Sequence, residues 1–236
     1  MDGIYKALAE ELKKSNYTVV MTGAGMSTES GLSDFRSRDG IWKEYDPMKV
    51  ATVTALENDY DNFHSFYSMR SEARIQRKPH KGHQILAEWE ERGLISSIIT
   101  QNVDNFHQQA GSRNVFELHG SIDRFRCKDC GEPSGMESFL RKEPCPACGG
   151  KLRPGIVLFG EPLPERELYG ALEEVKKADL VIIIGTSLTV YPAASIHSNT
   201  DGKIVYINDE YNGRKKFDMV IEGKAGEILS EVNEFL

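Results

Sequence analysis

Four cysteines have the spacing of a metal site. Cys127 and Cys130 form one Cys-x-x-Cys pair, and Cys145 and Cys148 form a second pair after fourteen intervening residues. Four thiolates can surround a zinc ion tetrahedrally, and the glycines after the second pair allow a tight turn. Because four sulfur ligands leave no position open for water, the spacing predicts a structural rather than a catalytic zinc ion. Two disulfides or four free thiols are the alternatives.

A glycine-rich segment follows the first apolar run. Gly23-Ala24-Gly25 comes directly after TVVMT, and such glycines let backbone N–H groups approach a pyrophosphate. The usual dinucleotide fingerprint has a third glycine where this chain has Thr28, and an acidic residue at the end of the next strand. Here the acidic residues follow a much later apolar run, in Asn208-Asp209-Glu210. The segment predicts a nucleotide that lies the other way round, with a glycine turn for packing as the alternative.

Polar residues follow three other apolar runs. They are Gln101, Asn102 and Asp104 after the second run, His119 after the third, and Gly185-Thr186-Ser187 after the fourth. The carboxyl ends of parallel strands share one edge of a sheet, where ligands bind in this class of fold. The alternatives are that Asp104 caps a helix at 105–109 and that the histidine is structural.

The elements that position these residues alternate along the chain. Short β-branched runs at 18–22, 94–100, 115–118, 179–185, 203–208 and 218–223 are typical of buried parallel strands. Amphipathic segments at 80–93 and 165–178 predict helices between them. The pattern therefore predicts an α/β fold with a Rossmann-like, doubly wound parallel sheet. Residues 32–78 and 120–155 break the alternation and predict a second, smaller lobe.

Composition limits the partners. The 236 residues suffice for one α/β core with insertions, and the net charge of -7 disfavours nonspecific binding to nucleic acid or an anionic membrane. The N-terminal segment lacks the pattern of a signal peptide, and DLVIIIG is too short to span a bilayer. We expect a cytoplasmic monomer with reduced cysteines.

Seven motifs, in order over nearly the whole chain, resemble the sirtuin family. They are GAGMSTESGLSDFRS, TQNVDNFH, ELHGS, the paired Cys-x-x-Cys, LRPGIVLFGE, GTSLTVYPAA and IND. The resemblance implies an NAD-dependent protein-lysine deacylase that consumes NAD and produces nicotinamide, O-acyl-ADP-ribose and free lysine. It implies an NAD-binding domain at 1–31, 79–120 and 156–236, a cofactor loop and helical module at 32–78, and a zinc-ribbon module at 121–155. Position 33 is Ser where the family commonly has Pro.

The resemblance also assigns roles to residues. The catalytic residues that it implies are His119, Asn102 and Asp104. By this resemblance His119 is the general base on the ribose hydroxyls, Asn102 orders the ribose and a water, and Asp104 receives the nicotinamide carboxamide together with Val103. Phe35 of the cofactor loop is expected to cover the reacting carbon. The implied NAD-binding residues are Gly23, Ala24, Gly25, Thr28, Asp34, Phe35, Arg36, Gln101, Asn102, Val103, Asp104, Gly185, Thr186, Ser187, Asn208 and Ala225.

The substrate is an acyl-lysine peptide by the same resemblance. Val157, Leu158, Phe159, Gly160 and Glu161 match a family strand that pairs with the peptide, and Thr189, Val190 and Tyr191 match the strand on its other side. Tyr67 and Arg70, with Ala51, resemble the sirtuin class that removes succinyl, malonyl and glutaryl groups. The alternative is that Tyr67 packs in the lobe and Arg70 is solvated.

Three rival functions remain at this level. An NAD-linked dehydrogenase is disfavoured by the missing third glycine and acidic residue. A zinc-ribbon nucleic-acid-binding module is disfavoured by the net charge and by the lack of clustered Arg and aromatic residues around the cysteines. Mono-ADP-ribosyl transfer uses the same cofactor carbon and is the alternative on the same fold.

Overall fold

A computed structural model describes residues 2–35, 37, 40–211, 213 and 215–236. Its strands are β1 (Thr18–Thr22), β2 (Ser97–Thr100), β3 (Val115–Glu117), β4 (Gly120–Cys127), β5 (Pro133–Ser134), β6 (Leu152–Ile156), β7 (Leu180–Ile184), β8 (Lys203–Asn208) and β9 (Met219–Glu222). Its helices are α1 (Asp2–Lys14), α2 (Pro47–Val50), α3 (Val53–Asn58), α4 (Tyr60–Ile75), α5 (Lys81–Glu91), α6 (Phe106–Ala110), α7 (Met136–Leu140), α8 (Glu165–Lys177) and α9 (Ala225–Asn233). Short 3-10 helices span Ala24–Ser30, Ile41–Lys43 and Ala193–Asn199. Within these ranges no helix combines the length and apolarity needed to cross a bilayer.

The six predicted strands form one parallel sheet, which confirms the predicted fold class. Their order is β3-β2-β1-β7-β8-β9, so β1 is flanked by β2 on one side and β7 on the other. In register, Val20 lies opposite Ile98 of β2 and Ile182 of β7. The order of the strands reverses between β1 and β7, and a crevice at the carboxyl ends of such strands is the usual ligand site of this fold.

Strand β2 begins three residues later than the apolar run predicts. The amides of Leu94 and Ile95 both donate to the carbonyl of Trp89, at 2.8 and 3.3 Å, and so close the end of α5. Gly93 between them and the helix has a φ of 72°, which is the left-handed conformation that ends many helices. The run LISSIIT is therefore part helix cap and part strand.

Both faces of the sheet are covered by helices. Val20 packs with Leu8 of α1, Trp89 of α5 and Leu229 of α9 in one core cluster. Val19 points to the opposite face, where its cluster includes residues of α8 and of the 3-10 helix Ala193–Asn199. Because side chains alternate along a strand, a run such as TVVMT must be apolar throughout when both faces are buried.

The segments that interrupt the predicted alternation of strands and helices form a smaller lobe. Helices α2, α3 and α4 each begin at a capping side chain: Asp46 accepts from Met48 N at 2.9 Å, and Thr52 and Asp59 serve the next two helices. Strands β5, β4 and β6 form an antiparallel sheet with α7 beside it. Aromatic residues of α4 and of the cysteine-rich segment share one buried cluster, so the two segments pack together as a unit.

Candidate active site

A cleft of about 1080 Å³ runs along the carboxyl edge of the parallel sheet. Its lining includes residues that follow β1, β2, β3, β7 and β8, and it also includes residues of the smaller lobe. The predicted residues in its lining are Gly23, Ala24, Gly25, Asp34, Phe35, Ala51, Tyr67, Arg70, Gln101, Asn102, Val103, Asp104, His119, Val157, Leu158, Phe159, Gly160, Glu161, Gly185, Thr186, Ser187, Thr189, Val190, Tyr191, Asn208 and Ala225. Thr28 does not line the cleft, and Arg36 lies outside the described residues.

Two glycine-containing turns are in direct backbone contact at the point where the strand order reverses, between β1 and β7. Gly25 N donates to Gly185 O at 2.8 Å, and Gly185 has a φ of 64°. A Cβ on Gly185 would lie 2.3 Å from Met26 N, and one on Gly23 would lie 2.6 Å from the Cβ of Thr186. The glycines are therefore needed for this close approach, which leaves a surface of backbone groups suited to a pyrophosphate. The Thr28 hydroxyl braces the first turn by donating to Gly25 O at 3.0 Å.

A buried polar network links the first two strand ends. Asn102 Nδ2 donates to Gly23 O at 3.0 Å and contacts Ser27 Oγ at 3.2 Å. The Ser27 hydroxyl donates to Asp104 Oδ2 at 2.7 Å, and Asp104 Oδ1 accepts from Phe106 N at 3.0 Å. Asp104 thus caps the start of α6 and also lines the cleft. Burial raises the pKa of its carboxyl, although these two hydrogen bonds act in the opposite direction.

Arg74 of α4 connects this network to the smaller lobe. Its Nε donates to the Asp104 carbonyl oxygen at 2.7 Å, and its guanidinium pairs with Asp123 of β4 at 2.5 Å. The guanidinium also lies 5.4 Å from the ring centroid of Phe106. One buried arginine therefore ties the helical part of the lobe, β4 and the loop after β2 together.

His119 follows β3 and is held by one ring nitrogen. Its Nδ1 donates to the Gln101 carbonyl at 2.9 Å, because a carbonyl oxygen can only accept. In the neutral ring the other nitrogen, Nε2, is then the acceptor. Burial lowers the pKa of the imidazole, against a smaller opposing effect of the Gln101 hydrogen bond. His119 is therefore neutral near pH 7 and can accept a proton at Nε2.

Tyr67, Arg70 and Ala51 all line the cleft. Tyr67 is buried against Phe63 and Phe66, with ring centroids 4.7 and 5.0 Å away. Within the described part of the chain neither the Tyr67 hydroxyl nor the Arg70 guanidinium has a hydrogen-bond or ion-pair partner, although both residues line the cleft. Burial raises the pKa of Tyr67 and lowers that of Arg70. The pocket therefore offers a neutral hydroxyl and an unpaired cation.

The segment Val157–Glu161 is held in place from three sides. Val157 N donates to His119 O at 2.9 Å, and Phe159 N donates to Ala51 O at 2.9 Å. The Arg153 guanidinium donates two hydrogen bonds to the Glu161 carboxylate, at 2.5 and 2.9 Å. The same carboxylate accepts a hydrogen bond from Leu158 N at 2.8 Å. Burial alone would raise the pKa of Glu161, but its hydrogen bonds to Arg153 and Leu158 N hold that pKa below its usual value.

Neither predicted peptide-pairing segment is a regular strand. Phe159 forms an isolated bridge to Thr52, and β6 ends at Ile156, before the predicted segment begins. The physical reason is that Phe159 N is bonded to Ala51 and Leu158 N to a side chain, which breaks a continuous ladder.

The four cysteines gather away from the cleft. All four sulfur atoms lie within 4.8 Å of one another, with Cys127 and Cys148 3.5 Å apart and Cys130 and Cys145 3.6 Å apart. Tetrahedral ligands at the usual Zn–S length of about 2.3 Å lie about 3.8 Å from each other, so the spacing fits a zinc ion. None of the four lines the cleft. The group they would hold is structural, as predicted.

Several lining residues were not singled out from the sequence. Ser27 lies inside a quoted motif, and its position two residues after Gly25 is the only available signal. Lys215 donates to Leu188 O at 3.1 Å, and Tyr206 donates to Thr186 O at 2.8 Å while its ring stacks on Phe217 at 4.6 Å. These contacts join segments far apart in sequence, so local patterns give no sign of them.

The chain is similar to known proteins over nearly its full length. Residues 23–192 match the model of the Sir2 family. An "NAD-dependent protein deacetylase" of Oceanobacillus iheyensis is 45% identical over 94% of this chain and 97% of its own. The "NAD-dependent protein deacylase 2" of Archaeoglobus fulgidus is 42% identical over 99% of this chain and 96% of its own.

A solved structure agrees with these sequence matches. The crystal structure of a Sir2 homolog–NAD complex superposes with a TM-score of 0.90 at 39% identity, covering 98% of this chain and 93% of that chain. With a matching family model, close relatives and a shared fold that places six of the seven motifs, all but the paired Cys-x-x-Cys, around one cleft, this chain is a member of the Sir2 family, the sirtuins.

Proposed function

We propose that this protein is an NAD-dependent protein-lysine deacylase, which transfers the acyl group of a lysine side chain to the ADP-ribose part of NAD and releases nicotinamide and free lysine. The observation that carries the proposal is the convergence, in one cleft, of the glycine turns, the Asn102–Ser27–Asp104 network, His119 and an acyl pocket. Relatives that bear deacetylase and deacylase names over nearly the same length support it.

Residues that follow different strands bind different parts of NAD. The turns at Gly23-Ala24-Gly25 and Gly185-Thr186-Ser187 offer backbone groups to the pyrophosphate. Asn208 and Ala225 also line the cleft and receive the adenosine part, and Gln101 and Asn102 contact the second ribose. Thr28 acts indirectly, through its bond to Gly25 O.

The loop after β2 receives nicotinamide. Val103 and the Asp104 carboxylate line the cleft there, and a carboxylate can accept hydrogen bonds from the carboxamide N–H groups. Phe35 and Asp34 belong to the loop that covers the reacting carbon and keeps water from it. Arg36, outside the described residues, is proposed to meet the phosphates.

His119 acts as the general base. Its Nε2 takes a proton from a ribose hydroxyl, and the ribose oxygen attacks the acyl carbon. The acyl C–N bond then breaks, and the lysine amine leaves. The Gln101 carbonyl fixes the ring orientation and the tautomer that this step requires.

The peptide lies between two segments of backbone. Residues 157–161 and 189–191 both line the cleft, and we propose that the peptide passes between them. Recognition through main-chain hydrogen bonds gives affinity with little sequence preference. We infer that the Arg153–Glu161 pair holds the first segment in the shape that the peptide needs.

The acyl pocket favours acyl groups that carry a terminal carboxylate. An unpaired guanidinium and a free hydroxyl, in a cleft that the small Ala51 also lines, suit a carboxylate at the end of a succinyl, malonyl or glutaryl chain. Acetyl-lysine also fits this pocket but leaves Arg70 unpaired. We therefore propose that acidic acyl groups are removed faster than acetyl.

A parallel assay tests both levels of the proposal. The protein is incubated with NAD and matched acetyl-lysine or succinyl-lysine peptides, and nicotinamide release and peptide mass are followed together. We expect acyl loss coupled to nicotinamide release, and neither in the His119→Ala variant. Nicotinamide release with labelling of protein and no peptide change would mean mono-ADP-ribosyl transfer, which no feature of the cleft favours.

A second comparison tests the acyl class. Arg70→Met is expected to slow desuccinylation at least tenfold relative to deacetylation, because one charge-assisted, bidentate pair is lost. Equal effects on the two reactions would contradict the acidic pocket. Lys78→Met on the exposed chain just beyond α4 is the matched control.

We also infer that the chain works as one discontinuous catalytic core, with the divisions at residues 31, 78, 120 and 155, and as a cytoplasmic monomer without nucleic-acid or membrane partners. The four thiols set for zinc and the net charge of -7 support this inference. Size-exclusion chromatography with light scattering checks the monomer, for which about 26.5 kDa is expected.

A further inference from the structure

Arg70 belongs to the acyl pocket and also contacts the cofactor loop. Its guanidinium carbon lies 4.9 Å from the ring centroid of Phe35, a distance at which a cation and an aromatic face attract each other. Phe35 and Arg70 are 35 positions apart, and one belongs to the loop expected over the ribose while the other belongs to α4. The contact therefore joins the two substrate sites.

Phe35 is held from a second side by Trp42. Their ring centroids are 5.1 Å apart, and Trp42 in turn stacks on Phe66 of α4 at 5.9 Å. Trp42 N also donates to Phe35 O at 3.2 Å. The aromatic contacts fix one side of the Phe35 ring, so Arg70 is the polar group that decides how firmly the ring is held.

A guanidinium can make two kinds of contact at once. Its face stacks on an aromatic ring, while its N–H groups point outward in its own plane and bind a carboxylate in a bidentate manner. In this cleft the guanidinium carbon lies over the Phe35 ring, and the N–H groups have no hydrogen-bond or ion-pair partner within the described residues. The edge of Arg70 is thus open to a ligand.

An anchored arginine would hold Phe35 better than a free one. The long Arg70 side chain loses rotamer freedom when a bound carboxylate holds it. The entropic cost of ordering this side chain is then incurred only once, when the first ligand binds. A second ligand that contacts Phe35 then meets a ring that is already held in place, which produces positive cooperativity without a new contact.

We propose that Arg70 couples the acyl pocket to the cofactor loop, so that an acyl-lysine bearing a terminal carboxylate and the ADP-ribose part of NAD strengthen each other's binding through the Arg70–Phe35 contact. The inference rests on the function proposed for this cleft and adds to it a direction of regulation. An acidic acyl substrate prepares the NAD site, whereas acetyl-lysine does not.

Calorimetric titration with ADP-ribose tests the coupling, because ADP-ribose lacks nicotinamide and no acyl transfer follows. Its dissociation constant is measured alone and with saturating acetyl-lysine or succinyl-lysine peptide of one sequence. We expect the succinyl peptide to tighten ADP-ribose about fivefold, the lower end of typical coupling, and the acetyl peptide to change it less than twofold. By reciprocity, ADP-ribose should tighten the succinyl peptide by the same factor.

Two variants locate the coupling. Phe35→Leu should still bind the succinyl peptide, because the N–H groups of the Arg70 guanidinium remain. It should lose the fivefold effect, because the aromatic ring that the guanidinium contacts has been removed. Arg70→Lys keeps the charge without the planar face, and it should lose the effect as well. Lys78→Met removes a charge outside the cleft and should retain the full effect; a thermal melt of each variant verifies folding.

The possible results separate the two proposals. If the succinyl peptide binds and ADP-ribose affinity does not change, the coupling is wrong while the acyl assignment stands. If the succinyl peptide fails to bind, both the acidic-acyl assignment and the coupling are wrong. Deacetylation by the unmodified protein reports separately on the deacylase function.

Discussion

At the scale of single residues, His119 shows how burial sets a working pH. The histidine must be neutral to accept a proton, and burial lowers its pKa from the ordinary value near 6.5. We expect kcat/KM for nicotinamide release to stay constant between about pH 6.5 and 7.5 and to fall only as the pH drops through the lowered pKa. A pH–rate profile with circular dichroism at each pH checks this. A fall centred at or above pH 6.5 would contradict it.

Arg74 illustrates a residue that acts through its neighbours. Replacing it with methionine removes the ion-pair partner of Asp123 and frees the Asp104 carbonyl, so we expect the free energy of unfolding to drop by about 3 kcal/mol. Inhibition by nicotinamide should also weaken, because the loop after β2 loses its anchor. Urea denaturation and inhibition constants measure the two effects.

The matched control is Arg141→Met, which removes an exposed arginine with two ion pairs. Exposed pairs contribute less than about 1 kcal/mol, so this variant should unfold almost as the parent does. An Arg74 variant that retains both its stability and its nicotinamide inhibition would show that the bond to Asp104 is incidental.

At the scale of elements, the glycine turns allow a paired test of close packing. Gly185 and Gly93 have similar positive φ angles of 64° and 72°, but only at Gly185 would a Cβ meet another atom. Gly93→Ala should cost about 1–2 kcal/mol from conformation alone. Gly185→Ala should cost clearly more, and it should also weaken NAD binding, because the two turns must separate. Equal costs in urea denaturation would mean that the turns tolerate separation.

The cysteine cluster gives a second prediction for an element. Metal analysis of protein purified without chelator should find about one zinc per chain. Removal of the zinc should lower the thermal midpoint and abolish peptide deacylation, because β6 leads directly into Val157 and the peptide segment. Cys148→Ser should act in the same direction. Full activity in metal-free protein would refute the structural role.

The elements also show what a sequence can predict. The six sheet strands were predictable because continuous β-branched runs signal burial on both faces, as in TVVMT. Helices α2 to α4 were not, because the buried face of α4 carries the polar residues His64, Ser71 and Arg74 beside its aromatic residues and so shows no apolar stripe. The strand-end residues were found as a group, whereas the Arg70–Phe35 and Arg74–Asp104 contacts depend on packing between segments that no local pattern reveals.

At the scale of the whole molecule, buried histidines make stability depend on pH. Burial lowers the pKa of His83, His119 and His107, the last to about 3. Between the lowered and ordinary values the unfolded chain binds more protons, so stability is complete above about pH 6.5 and is lost as the pH falls below it. Each histidine contributes up to about 1.4 kcal/mol per pH unit.

Urea denaturation between pH 5 and 8 measures this slope. We expect the midpoint to fall steadily below about pH 6.5. The variant His107→Gln, which removes one buried imidazole, should show a shallower slope even if it is less stable overall. A midpoint independent of pH would mean that these histidines are open to solvent in the folded protein.

The smaller lobe is built by two excursions of the chain, one between β1 and β2 and one between β3 and β7, while the sheet edge supplies the glycine turns and His119. Ala51, Tyr67 and Arg70 all belong to the first excursion, and it shares the buried cluster with the second. The proposed choice of acyl group therefore depends on the first excursion and the proposed chemistry on the sheet edge, while Arg70 and Arg74 connect the two. A transplant of residues 41–75 from another family member that keeps both arginines should change which modification is erased and leave the sheet-edge residues of the NAD site in place.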